Sequence, residues 1–91
     1  MNKILIVEDE EAIRISIQKL LKSNRYETSG ARSIQDALDK FKLSDFSLII
    51  SALRLPEAPG TDLIQLAGGV PVLIMTSYAS LRSAVETMRQ G

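Results

Sequence analysis

Ser47-Leu48-Ile49-Ile50-Ser51-Ala52-Leu53-Arg54-Leu55-Pro56 decides how this chain is read. Leu48-Ile49-Ile50 carries β-favouring apolar side chains with no alternation. That pattern suits a strand covered on both faces, as in a parallel sheet. With Phe46 it is the most apolar segment of the chain, and the prolines at 56 and 59, with Gly60, make residues 55–60 a loop. Position 52 stands at the mouth of the strand, where open parallel sheets place their chemistry. It holds an alanine.

Working outward, Ile4-Leu5-Ile6-Val7 is a second unbroken apolar run, ended by Glu8-Asp9-Glu10-Glu11. Ile13, Ile17, Leu20 and Leu21 then recur at helical spacing, which predicts a helix from about Glu10 to Ser23. The polar run Tyr26 to Gly30 reads as an edge strand. Ser33 followed by Asp36 reads as a capping-box variant opening a short helix that ends near Leu43. Thr61 is the expected cap of a brief third helix through Leu66, which Gly68-Gly69 stops. Val70 to Met75 reads as the fourth strand, and Ser80 as the N-cap of a last helix with Leu81, Ala84, Val85 and Met88 on its apolar stripe.

Strand and helix thus alternate four times, which predicts parallel strands joined by right-handed crossovers: a doubly wound α/β sheet in a single domain over 1–91. The balance of 11 Lys plus Arg against 11 Asp plus Glu gives no basic field for nucleic acid. With no Cys and no His, disulfides, thiolate or imidazole metal sites and histidine bases are excluded. No apolar run approaches the roughly 20 residues needed to span a bilayer, and no signal peptide opens the chain, so a cytoplasmic domain is expected.

Three strand ends offer chemistry: Glu8 and Asp9 after the first, Ala52 after the third, Thr76 and Ser77 after the fourth. Adjacent acids at a strand end can hold Mg²⁺ through carboxylate oxygens. The same acids also suit a helix N-terminus, where each adds about 0.3–1 kcal/mol. Thr76 alone could equally be a strand-end hydroxyl tying down backbone.

The combination of an apolar strand ending in two acids, Leu55-Pro56 after a third strand, and Pro71-Val72-Leu73-Ile74-Met75-Thr76 resembles the receiver domain of bacterial two-component response regulators. The resemblance spans the chain. Pro59-Gly60-Thr61-Asp62-Leu63-Ile64 and Met75-Thr76-Ser77-Tyr78-Ala79-Ser80 look most like receivers of sigma-54-dependent transcription activators. It implies a flavodoxin-like fold with strand order 2-1-3-4. It also implies that Glu8 and Asp9 bind Mg²⁺, that the Arg54 backbone carbonyl faces the metal, and that Thr76 hydrogen-bonds the phosphoryl group. A sensor histidine kinase is the implied donor, and an output domain in a longer parent, with ATPase and DNA-binding parts, the implied reader.

In that family the phosphoacceptor aspartate lies four residues before the loop proline, and counting back from Pro56 gives Ala52. A methyl group can neither attack phosphorus nor ligate a metal. The expectation is a phosphorylation-dead receiver, not an enzyme, that binds Mg²⁺ weakly. Ser51 should point to the opposite face of the strand and cannot substitute. The alternative is a natural degenerate receiver acting as a phosphate-independent interaction module. A small-molecule binder of the flavodoxin kind is disfavoured because no Gly-rich phosphate loop follows the first strand.

The family pattern continues with a fifth strand and helix, for which this sequence has no counterpart. The fourth strand is therefore expected to present an apolar edge and the first helix to lose a packing partner, and a homodimer or domain swap could cover the edge.

Overall fold

The computed structural model describes residues 2–90. Gly91, where the expected pattern stops, lies outside them. Four parallel strands form one sheet: β1 (Lys3–Val7), β2 (Glu27–Ala31), β3 (Leu48–Ala52) and β6 (Val72–Met75), in the order β2-β1-β3-β6. This is the 2-1-3-4 order expected from the sequence. Central β1 has every residue from Ile4 to Val7 buried, and β3 is buried from Ile49 to Ala52. β2, whose residues are Glu-Thr-Ser-Gly-Ala, is an edge.

Alternation along the strands divides the core in two. On one face, Leu5, Val7 and Ile49 pack with Ile34 and Ala37 of α2 (Ile34–Lys40) and Leu63 of α3 (Asp62–Leu66). On the other, Ile4, Ile6 and Ile50 pack with Ile17 and Leu21 of α1 (Glu11–Ser23) and Leu81 and Val85 of α4 (Tyr78–Gln90). α4 shares the face of the first helix.

Local details depart from the sequence reading in instructive ways. The loop after β3 contains a two-stranded antiparallel hairpin, β4 (Arg54–Leu55) and β5 (Ala58–Pro59), turned at Glu57 with φ of 69°. Pro59 is tolerated there because this ribbon has free edges. The second helix stops at Lys40 rather than near Leu43, and a 3₁₀ turn over Leu43–Asp45 follows. Ser33 does cap α2: its Oγ accepts from the Asp36 N–H at 3.0 Å, while Asp36 Oδ2 accepts from the Arg32 N–H at 3.1 Å. Thr61 makes no side-chain cap. Ser80 is not the cap of α4. Ser77 Oγ takes that place, accepting from the Ser80 N–H at 3.1 Å. The causes differ: Thr61 already has helical backbone, with φ of −62° and ψ of −20°, so its hydroxyl is not placed to cap, whereas at α4 several hydroxyl residues compete and the helix begins just after Ser77.

Candidate functional site

The carboxyl ends of β1, β3 and β6 lie side by side, with Val7 in register with Ser51 and Ala52 with Met75. Glu8, Ala52, Met75, Thr76 and Ser77 line a cleft of about 530 Å³, walled by Ala12, Ile13 and Ser16 of α1. Three of the sequence-predicted positions, Glu8, Ala52 and Thr76, thus share one cavity. Asp9 lines a neighbouring cleft of about 520 Å³ with Arg32, Ser33, Pro56 and Glu57. Arg54 lies on the exposed hairpin and lines neither cleft.

Glu8 is a carboxylate placed where water hardly reaches it, at 5% exposure. Its Oε2 accepts from the Glu10 N–H at 3.0 Å, and its backbone carbonyl accepts from the Arg14 guanidinium at 2.7 Å. Burial pushes the Glu8 carboxyl above the ordinary glutamate range, the Glu10 N–H opposes that shift, and the adjacent Asp9 carboxylate adds to it. A cation is the natural means of relieving such a pair. Among the described residues, however, no group of three or more His, Cys, Asp or Glu side chains converges.

Ala52 itself is firmly held. The Ser51 hydroxyl, fully buried, donates to the Ala52 carbonyl at 2.9 Å. Gly60 packs so closely behind that a Cβ there would stand 2.0 Å from the same carbonyl oxygen and 2.6 Å from Ser51 Oγ. The Gly60 N–H donates to the Leu53 carbonyl at 2.8 Å, which fastens the hairpin to the end of β3. Ser51 sits in register with Val7 and Ile74, one residue out of phase with Ala52, so its side chain is on the α2–α3 side and not in the cleft. The sequence reading treated Gly60 as punctuation and missed this support. The Pro-Gly pair marks a turn, but a close approach between residues 51–52 and 60 has no local signature.

A doubly wound parallel sheet in the order β2-β1-β3-β6 with a cleft at its carboxyl edge is a flavodoxin-like architecture. The response regulator receiver domain family matches residues 4–91, and the chain belongs to it. Response regulator protein FleR of Pseudomonas aeruginosa is 37% identical over 93 residues, covering 98% of this chain and 20% of that protein. Response regulator protein PilR of the same organism is 32% identical, and transcriptional regulatory protein ZraR of Escherichia coli is 33% identical. The chain spans about one fifth of the length of these relatives. Among solved structures, the non-phosphorylated HemR receiver domain from Leptospira biflexa superposes with a TM-score of 0.75 at 26% identity, covering 100% of this chain and 77% of that one. The Francisella response regulator 1452 receiver domain matches in fold, with a TM-score of 0.72 at 15% identity over 99% of this chain and 98% of that one.

Proposed function

We propose that this chain is a receiver domain that cannot take a phosphoryl group. It would serve in the two-component control of transcription, within a longer bacterial cytoplasmic protein of the sigma-54-dependent activator type. The observation carrying the proposal is the Ala52 methyl at the end of β3, in the same cleft as Glu8 and Thr76. The donor is a sensor histidine kinase, and the reader is an output domain elsewhere in the parent protein. The name of the similar ZraR, a transcriptional regulatory protein, supports the transcriptional role. Among the described residues, no helix is long and apolar enough to cross a membrane.

Glu8 and Asp9, with the Arg54 carbonyl, are the groups that would hold Mg²⁺, a hard cation suited to oxygen donors. Bound there, Mg²⁺ would neutralise charge on a transferring phosphoryl group. With Ala52 supplying no oxygen, its affinity is low. Thr76 supplies a hydroxyl on the far wall of the cleft, able to donate to a phosphoryl oxygen. No group at position 52 can attack phosphorus, so the chain performs no transfer and is not an enzyme.

The test is incubation with Mg²⁺ and acetyl phosphate followed by intact-mass measurement. The chain gains no phosphoryl mass, and Ala52→Asp in the full-length parent protein gains one. A stable phosphoryl adduct on the unaltered chain refutes the reading. If the Ala52→Asp variant stays unmodified while folded, the site lacks more than its acceptor.

A further inference from the structure

Arg14 and Arg32 are two cations that the candidate site leaves unexplained. They share a cleft of about 390 Å³ with Gly30, Ala31, Asp36 and Lys40. Its walls come from α1, the end of β2 and α2. Every lining residue precedes residue 41 and belongs to the β2 side of the sheet. A further strand beside β6, as the family fold has, leaves this cleft as it is.

Arg14 is held in place before any ligand arrives. Its aliphatic stem lies against Gly30, where a Cβ would stand 3.1 Å from Arg14 Cδ and 3.4 Å from Cγ. At its far end, Nη1 donates to the Glu8 carbonyl at 2.7 Å. That bond commits one donor of a planar fork to a neutral acceptor and leaves the charge uncompensated. Arg32 is exposed, and its main-chain N–H is tied to Asp36 Oδ2 at 3.1 Å. Lys40 has a counter-charge, since its Nζ lies 3.2 Å from Asp36 Oδ1. Among the described residues, neither guanidinium forms an ion pair with a carboxylate.

Both oxygens of Asp36 are thus occupied. Asp36 offsets one of the three positive charges lining the cleft, so two remain. They sit on guanidinium groups, whose flat forks suit phosphate oxygens. A phosphate group near pH 7 carries a charge of about −1.5 to −2, which matches that surplus. A single carboxylate would leave part of it unmatched. Nucleic acid fits poorly, because the chain's charge is balanced overall and this basic character is confined to one cleft.

We infer that the Arg14–Arg32 cleft is a binding site for the phosphate group of a small molecule, with both guanidinium groups as its donors and Lys40 beside them. Arg14 grips the main chain of Glu8, and Arg32 also lines the cleft that holds Asp9. A phosphate drawing on both cations is therefore felt at both acids that end β1.

The full-length parent protein, isotope-labelled at glycine, is titrated with inorganic phosphate at constant ionic strength and read by NMR at the Gly30 amide. Gly30→Ala assigns that resonance. A saturable shift with a Kd of about 1 mM or tighter is expected. Arg32→Gln changes an exposed side chain and should weaken binding at least about tenfold, as should Arg14→Gln. Lys19→Gln removes an exposed charge from α1 outside the cleft and should leave the affinity unchanged. Acetate should bind at least about tenfold more weakly than phosphate. Adenosine monophosphate separates the sources: tighter binding than inorganic phosphate identifies a phosphoester ligand, and equal or weaker binding identifies free phosphate. Four outcomes overturn the inference: no saturation below about 10 mM phosphate, undiminished affinity in a folded Arg32→Gln protein, an equal loss in Lys19→Gln, or acetate binding as tightly as phosphate. If Arg14→Gln fails to fold, Arg32→Gln decides.

Discussion

Gly60→Ala places a methyl group where the backbone of β3 already stands. The new Cβ would be 2.0 Å from the Ala52 carbonyl oxygen and 2.6 Å from Ser51 Oγ, well inside any real contact. Neither obstacle is a flexible side-chain end: the carbonyl belongs to a central strand, and the hydroxyl is tied to that carbonyl at 2.9 Å. Segment 58–60 must therefore lift away. Overpacking of this kind costs about 1–3 kcal/mol, and loss of the 2.8 Å Gly60 N–H bond to Leu53 adds about 0.5–1.5 kcal/mol. The sum, about 2–4 kcal/mol, is a large share of the roughly 5 kcal/mol that a small domain has to lose. With a urea slope of about 1 kcal/mol per molar, the unfolding midpoint should fall by about 2–4 M. Gly30→Ala is the control, because the nearest atoms to its Cβ would be in the Arg14 and Gln18 side chains, at 3.1 and 3.3 Å, and not in backbone. It should stay within about 0.5 kcal/mol of the unaltered chain. Urea melts followed by circular dichroism read both. If Gly60→Ala unfolds at the same midpoint as Gly30→Ala, the close approach of residue 60 to β3 is wrong.

Two further outcomes concern ionisation. The Glu8 carboxyl is raised above the usual 4.5, first by burial and then by Asp9. Its protonated form is therefore the one the fold prefers. That stability is fully present below 4.5 and is lost as pH rises through the higher folded value. Glu8→Gln should be more stable than the unaltered chain at pH 7 and no more stable under acid, as read from urea midpoints across that range. A variant that is less stable at pH 7 contradicts the desolvated carboxylate. Asp36 is held below its usual 3.8, mainly by the Arg32 N–H and then by Lys40, 3.2 Å away. Its stabilisation is present above 3.8 and is lost as pH falls through the lower folded value. Asp36→Asn should flatten the acid limb of stability, and an NMR titration placing the Asp36 carboxyl above 3.8 would refute the cap geometry. Ser33→Ala should cost about 1 kcal/mol through the lost bond to the Asp36 N–H, and a thermal melt unchanged from the unaltered chain would show that cap to be idle.

The sheet was legible in the sequence because its two central strands are apolar without interruption. Cover on both faces explains Ile4 to Val7 and Ile49 to Ile50, with Leu48 half-buried at the strand start. Parallel pairing followed from alternation with helices, and the strand order from the family resemblance. Less legible was everything set by three-dimensional neighbours. The hairpin over residues 54–59 looked like loop, since two-residue strands leave no periodicity. The cap of α4 fell on Ser77 rather than Ser80, and α4 turned to the α1 face, a choice settled by where Leu81 and Val85 find apolar partners. Within the site, Glu8, Ala52 and Thr76 could be placed together from their strand ends. The separation of Asp9 into the next cleft could not, because consecutive residues leaving a strand diverge according to the backbone path.

The clasp formed by Ser51 and Gly60 holds the main chain of residue 52 from the side opposite the cleft. Shape and reactivity at that position are thereby entrusted to different residues. The carbonyl is fixed from behind, whatever side chain projects in front. On the proposed reading of position 52, a lineage, or an experimenter, can silence or revive the acceptor with one codon and leave the surrounding architecture as it was. The domain's capacity to signal is in this sense detachable from its capacity to fold.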